Sequence, residues 1–392
     1  MSASAVMPTY GRLDLAFVRG EGSYLYTEDG TAYLDCATGI AVNTLGHGDD
    51  RLVSALQKQA GQLWHTSNLY RIPEQERLAA RLAEAAKLDH VFFCNSGAEA
   101  NEAAVKMARR FHYKSGQTER QTILCAGGAF HGRTLGMLAA TDRPVFREGF
   151  GPMPTGFDHV PFNNLNALRD RLDETVAAIM IEPIQGEGGA KAADNAYLRG
   201  VAEAAKEFGV LLIADEVQSG MGRAGHLFAY QAADIQPDLV VLAKGLGGGM
   251  PVGAVIAREE IGNAMGPGSH GSTFGGNPLA MAVSNAVLDA LQEDGFLADV
   301  RRRADLLLAG LEKLAAKYEN KIVEIRGTGF LRGVRFAPDI ILAEVNTALR
   351  DAHILAVPAA DNVLRILPPL TISPGDINIF LDGLDGALAK IG

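Results

Sequence analysis

Cysteine is scarce in this chain, with only Cys36, Cys94 and Cys125 among 392 residues. They are odd in number, widely spaced and never paired as CxxC. That pattern excludes a disulfide framework and suits a reducing compartment. The nine histidines never fall in an HExxH pattern, so no metal is expected. Long apolar runs are missing too: none approaches the about 18 residues that cross a bilayer. The first twenty residues lack the basic-then-apolar order of a secretory leader. A cytoplasmic protein with no membrane role is expected. Positive charge is outnumbered, 36 Lys and Arg against 46 Asp and Glu, for a net charge of −10. Such a surface repels phosphate backbones, and nucleic acid is not an expected partner. The longest basic run, Arg301-Arg302-Arg303, sits in a helical pattern and reads as a solvated face. There is no GxxxxGK(S/T) phosphate loop and no GxSxG nucleophile turn.

What is present is an ordinary globular balance, 47% apolar and 21% charged. The length exceeds the about 250–300 residues at which one core splits, so at least two domains are expected. Apolar runs at 91–94, 122–125, 177–181, 210–214, 239–243 and 253–256 read as strands, and 98–114 reads as a helix. Fully apolar strands alternating with helices indicate a mostly parallel α/β sheet buried on both faces. Asp29-Gly30 predicts a hairpin turn. Asn277-Pro278 predicts the start of a helix, since Asn caps and Pro suits the first helical position. Two long helical patterns then run to about Tyr318. The remainder, with strands at 323–326 and 363–366, reads as a smaller α+β domain. The expected organisation is an N-terminal segment 1–45 belonging to the smaller domain, a large domain 46–285 and a small C-terminal domain 286–392.

Two stretches match GxGxxG, Gly220–Gly225 and Gly266–Gly271. A dinucleotide site needs a strand just before the motif and a helix opening within it. Neither stretch has both, and with 45 glycines chance matches are expected.

Residues following the strands are more informative, because ligands of parallel α/β sheets bind beyond strand carboxyl ends. Ser96, Gly97 and Ala98 open a helix after the 91–94 strand. Small residues there would let a phosphate reach unpaired N–H groups, and the same residues would also make a plain helix cap. Asp215 ends a very apolar strand, where a carboxylate needs a cation or hydrogen-bond donors unless it merely caps the next turn. Lys244 ends another buried strand before a glycine-rich turn, and burial would lower its pKa as amine chemistry requires. A phosphate cradle, a buried carboxylate and a buried lysine together are what pyridoxal 5'-phosphate demands.

With these in hand, six ordered blocks become recognisable: residues 95–102 (Asn-Ser-Gly-Ala-Glu-Ala-Asn-Glu), Phe130-His131-Gly132-Arg133, residues 182–189 (Glu-Pro-Ile-Gln-Gly-Glu-Gly-Gly), Asp215-Glu216-Val217-Gln218, Ala243-Lys244, and residues 270–278 from His270 to Pro278. The chain resembles the class III (ornithine-type) aminotransferases, fold type I pyridoxal-phosphate enzymes, and within them is most similar to the acetylornithine aminotransferases of arginine biosynthesis. The resemblance runs from Tyr33-Leu34-Asp35 to Leu367-Pro368-Pro369-Leu370. It implies a large domain with a mostly parallel central sheet, a smaller C-terminal domain, and a homodimer.

The resemblance also implies roles. Lys244 would bond the cofactor and shuttle a proton, and Asp215 would pair with its pyridine nitrogen. Gln218 would lie near its phenolic oxygen, with Phe130 and Val217 on its two ring faces. Ser96, Gly97 and Ala98 would hold the phosphate, aided by Thr273 reaching in from the other subunit. The family often has Thr where Ala98 stands, so one side-chain contact is lost here. Arg133 and Ser272 resemble contacts to an acylated donor. Arg365 resembles the arginine that grips the α-carboxylate of glutamate or 2-oxoglutarate through two parallel hydrogen bonds, and Glu187 resembles its partner while an ω-amino donor is bound. The implied reaction is ping-pong transfer of the ω-amino group of N-acetylornithine to 2-oxoglutarate. Enzymes for free ornithine carry a tyrosine near residues 35–43, whereas 36–42 here holds no aromatic residue. That favours an acylated donor, with succinylornithine, succinyl-diaminopimelate, ornithine and 4-aminobutyrate as the alternatives.

Overall fold

The computed structural model describes residues 5–391. Residues 1–4 of the expected N-terminal segment and residue 392 of the expected C-terminal domain lie outside them. At the centre is a seven-stranded sheet in the order His90–Cys94, Gly253–Ala257, Leu239–Leu242, Leu211–Asp215, Val176–Ile181, Thr122–Ala126, Phe157–Val160. From Leu239–Leu242 to Phe157–Val160 every neighbouring pair is parallel, while Gly253–Ala257 runs antiparallel to both of its neighbours. All six strands expected from the apolar runs are present, each within a residue or so. Phe157–Val160 has polar Asp158 and His159 and only one fully buried residue, because it is an edge strand, so its pattern carries no apolar run.

Side chains alternate across this sheet. Ile123, Cys125, Leu211 and Ile213 pack under the Gly97–Lys114 helix, and Leu124 and Leu212 pack on the other face under Asn195–Phe208. Both faces are therefore covered, which is why the strands read as continuous apolar runs. The Pro278–Leu291 helix begins as its sequence predicts: Asn277 Oδ1 accepts from Ala280 N–H at 2.9 Å, with Pro278 as first residue.

A second, antiparallel sheet joins Ile322–Thr328, Leu331–Phe336, Val363–Ile366 and Val357–Ala359. The Tyr24–Tyr26 and Ala32–Asp35 strands form the hairpin expected at Asp29-Gly30. Ile354–Leu355 adds in parallel to Ala32–Asp35, so the two ends of the chain share a sheet. One apolar cluster runs from Leu34 through Leu82, Val240 and Leu288 to Leu388 and ties these parts together.

One sequence expectation needs adjusting. The arginine run lies in the Phe296–Lys317 helix but is not simply a solvated face. Arg303 is buried and donates to Ile372 O at 2.6 Å, and Arg301 donates to Gly225 O at 2.7 Å. Gly220–Gly225, as the sequence indicated, is a turn rather than a strand-to-helix junction; Gly222 and Gly225 have φ of 84° and 90°, and helix residue Arg301 packs on the latter. It has no dinucleotide geometry.

Candidate active site

The carboxyl ends of the parallel strands converge on a cavity of about 430 Å³. Its walls include Ser96, Gly97, Ala98, Phe130, Arg133, Asp215, Val217, Gln218 and Lys244, nine residues drawn from strand ends far apart in sequence. The site residues chosen from sequence are thus mostly brought together.

Lys244 stands where the Leu239–Leu242 strand breaks into a tight turn. Its φ of 41° is a left-handed conformation, which a non-glycine residue holds only under constraint from its surroundings. Burial pushes its amine down to about 8, with the Glu187 and Arg365 charges acting in opposite directions. Roughly one lysine in ten is then the neutral, nucleophilic amine at pH 7, a few hundred-fold more than at the ordinary 10.5.

Asp215 is 3% exposed and fully engaged. Its Oδ1 accepts from Val217 N–H at 3.0 Å, and its Oδ2 meets Asn101 Nδ2 at 2.8 Å and His131 Nδ1 at 2.7 Å. Burial alone would depress the His131 imidazole, but the hydrogen bond and charge of Asp215 outweigh it and the pKa rises. The buried carboxylate thus meets donors, which settles the question its position raised in the sequence.

Ser96 is an N-cap, its Oγ accepting from Glu99 N–H at 3.2 Å. The first-turn N–H groups of an 18-residue helix have no intrahelical partner and carry the positive end of its dipole. Cap and cradle are compatible, because the cap uses the side chain and a phosphate uses the backbone. Gly97 packs against Val217, whose Cγ1 would lie 2.8 Å from a Cβ there, so only glycine fits.

Beside this cavity, Arg365 is fully buried and reaches Glu187 Oε1 at 2.6 Å and Gln218 Oε1 at 2.8 Å through Nη1. Burial works against the Glu187 charge, but Arg365 outweighs it and holds the carboxyl below its ordinary pKa. Arg133 is exposed at the rim, its guanidinium 3.7 Å from the Phe146 ring centre and 5.5 Å from that of Phe130. Ser272 is not on the cavity wall. Its Oγ accepts from Gly275 N–H at 2.9 Å and Asn95 Nδ2 at 3.2 Å, linking two loops. Thr273 is exposed on the same loop and stands outside this chain's own cavity.

Sequence reasoning gave no role to His131, Asn101 or Glu182. Asn101 lies four residues after Gly97, on the same helix face, a spacing that could have found it. Glu182 follows Val176–Ile181 just as Asp215 closes Leu211–Asp215, so the strand-end rule covers it too. Burial raises its carboxyl to about 8, and it accepts Phe130 N–H at 3.0 Å. His131 had no signal beyond its place beside Phe130.

Pyridoxal 5'-phosphate fits this arrangement. A partly accessible lysine of depressed pKa, a buried carboxylate on the same cavity, a helix N-terminus with a side-chain-free glycine, and the Phe130 ring and Val217 on its walls meet its demands.

Comparison with known proteins agrees. The family model described as "Aminotransferase class-III" matches residues 6–388. A curated acetylornithine aminotransferase of Mesorhizobium japonicum is 51% identical over 96% of this chain and 94% of its own. The N-acetylornithine aminotransferase structure from Stenotrophomonas maltophilia superposes with a TM-score of 0.84 at 35% identity, covering 97% of each chain. The ornithine aminotransferase structure from Toxoplasma gondii gives 0.94 at 31% identity, over 98% of this chain and 92% of its own.

Proposed function

The chain belongs to the class-III aminotransferases, pyridoxal-phosphate enzymes of fold type I, and on that premise we propose that it transfers the ω-amino group of N-acetylornithine to 2-oxoglutarate, yielding N-acetylglutamate semialdehyde and glutamate in arginine biosynthesis. The observation that carries this reading is the Glu187–Arg365–Gln218 contact beside the Lys244 cavity. Paired with Glu187, the buried guanidinium is neutralised and an ω-amino donor need present no α-carboxylate to it. When Glu187 turns away, Arg365 offers two parallel N–H groups to the α-carboxylate of 2-oxoglutarate. One site thereby serves both half-reactions.

Pyridoxal 5'-phosphate, when bound, supplies an electron sink for charge developing at the substrate carbon. The chain does the rest. Lys244 would hold the cofactor through its amine, and the same amine is placed to hold or move a proton at the substrate carbon. Asp215, fixed by His131 and Asn101, would offer a carboxylate to the pyridine nitrogen, and Gln218 would serve the phenolic oxygen. Phe130 and Val217 hold the ring plane for alignment, with Ser96, Gly97 and Ala98 at the phosphate. Arg133, at the cavity rim, serves the acylated donor; Ser272, off the cavity wall, instead holds the loop that carries Thr273 through its bonds to Gly275 and Asn95.

A homodimer completes the site, with Thr273 reaching the partner's phosphate. In support, Trp64, Leu69, Tyr70 and Phe274 are all more than 60% exposed. Their segments are joined by Asn68 Nδ2 bonds to Ser272 O and Gly275 O at 3.1 and 2.9 Å. An apolar surface of this kind suits burial against a second copy. Residues 1–45 and 286–392 act together as the smaller domain against 46–285, in keeping with the shared sheet of Ala32–Asp35 and Ile354–Leu355. Three free, buried cysteines suit a cytoplasmic setting. Among the described residues no helix is long and apolar enough to cross a membrane.

The test mixes holoenzyme separately with acetylornithine, succinylornithine, ornithine and 4-aminobutyrate and follows loss of the bound cofactor's visible absorption. Fast conversion by acylated ornithines only is expected; preference for a free ω-amine overturns the donor assignment.

A further inference from the structure

Between Asp35 and Leu45 the backbone adopts a conformation that L-residues resist. Thr38, Gly39, Ile40 and Ala41 take φ of 48°, 62°, 67° and 61° in succession, one left-handed turn closed by Val42 N–H on Thr38 O at 2.9 Å. Three of these residues carry a Cβ that crowds the following carbonyl oxygen, and two are β-branched, so the turn persists only because its surroundings hold it.

The restraints are specific. Asp35 Oδ1 accepts from Ala37 N–H at 2.9 Å and Thr38 N–H at 2.8 Å, and Asp35 Oδ2 pairs with His47 Nε2 at 2.8 Å. Thr38 Oγ1 donates to Leu367 O at 2.7 Å, and Leu367 N–H donates to Cys36 O at 2.7 Å. Further along, Leu370 N–H donates to Thr44 O at 2.8 Å, and Thr44 Oγ1 donates to Gly245 O at 3.3 Å. Leu367 is the second residue after Arg365, and Gly245 directly follows Lys244. Val42, the first residue after the turn, lines the cavity itself. A left-handed turn advances only about 1.5 Å per residue where extended chain covers about 3.3 Å, so this strap is short and has little slack.

We infer that the strap from Asp35 to Leu45 fixes the separation between the Arg365 guanidinium and the Lys244 amine, and so sets the length of the dicarboxylic keto acid the site accepts. Asp35 and Thr38 are positioning residues: they act through the strap, on the Arg365 side. The inference rests on Arg365 being the carboxylate grip.

Thr38→Val tests it, since it keeps the branched shape and removes the hydroxyl bond to Leu367. The readouts are the ratio of kcat/KM for 2-oxoglutarate over the shorter oxaloacetate, and the Kd of the apo protein for pyridoxal phosphate. The ratio should fall about fivefold or more, the worth of one buried hydrogen bond, with cofactor Kd changed less than about twofold. Thr38→Ser, which retains the hydroxyl, should restore the ratio. An unchanged ratio in Thr38→Val, or a cofactor Kd that moves as far as the ratio, overturns the inference. A merely structural role would lower thermal stability without shifting the ratio. Should Thr38→Val not fold, Thr44→Val puts the same ratio to the test from the lysine end. Arg365→Ala separates the two failures: if it leaves 2-oxoglutarate binding intact, the grip assignment is wrong, whereas a loss there with an unmoved Thr38→Val ratio removes only the strap.

Discussion

His131 Nδ1 lies 2.7 Å from Asp215 Oδ2, with both side chains buried and Asn101 Nδ2 on the same oxygen at 2.8 Å. This carboxylate, which lines the cavity, is therefore held by two side-chain donors, one of them an imidazole whose pKa that carboxylate raises.

Replacing His131 by Ala should remove one of the three donors that hold Asp215, leaving Val217 N–H and Asn101 Nδ2. A hydrogen bond to a charged group contributes about 1.5–3 kcal/mol, so kcat should fall by about 10–100-fold. Spectral titration of the bound cofactor should show its ring nitrogen losing the proton at lower pH than in the wild type. A spectrum and pH profile identical to wild type would contradict this.

Lys244 should govern cofactor capture. With its amine at about 8, the rate at which apo protein takes up pyridoxal phosphate should rise through that pH and level off above it. A midpoint near the ordinary lysine value of 10.5 would show the amine to be solvated. Lys244→Ala should abolish turnover while the protein still binds cofactor noncovalently, as equilibrium dialysis would detect.

Glu182 should make apo stability fall as pH rises. Its folded pKa, raised by burial to about 8, lies above the ordinary 4.5, so the folded state holds a proton that the unfolded state has released. The stabilising protonation is complete below about 4.5 and is lost as pH rises through 8. Glu182→Gln can still accept from Phe130 N–H but has no proton to lose. Melting curves should show the variant gaining on wild type between pH 5 and pH 9; a constant difference would place the carboxyl in a solvated site.

Arg365→Ala removes the Glu187 pair and the guanidinium proposed to hold the acceptor's carboxylate. The kcat/KM for 2-oxoglutarate should drop by about 100-fold or more, as expected for a lost charged, bidentate contact. The donor half-reaction should suffer less. Steady-state kinetics with each substrate varied in turn would reveal an unchanged acceptor KM if the pair were only structural.

Thr273→Ala should weaken cofactor binding without altering the cavity of its own chain, since Thr273 stands outside it. Mixing Lys244→Ala chains with Thr273→Ala chains, at a cofactor concentration too low to fill the latter alone, gives a direct check: hybrid dimers should contain one intact site and recover activity. No recovery in hybrids shown to form would refute the shared site.

Much of this protein is determined locally by its sequence. Val176–Ile181 and Leu239–Leu242 are covered on both faces, so their burial is written as unbroken apolar runs. Asn277-Pro278 starts its helix through contacts within one turn. Asp215 and Lys244 stand out in the sequence because a charge at the end of such a strand is costly to bury unless something pairs with it. The tertiary structure alone decided what is non-local or runs against propensity. The edge strand Phe157–Val160 has no apolar signature, because one side of it faces solvent. The His131–Asp215 bond joins residues 84 apart in sequence, and the Arg365–Glu187 pair joins residues 178 apart. The left-handed turn at Thr38–Ala41 contradicts the preferences of Thr and Ile, and it exists because Asp35 and Leu367 are folded around it. Local energetics fix which residues become strand, helix and cap, but the distances that make a reaction possible are set by chain segments meeting from opposite ends of the molecule.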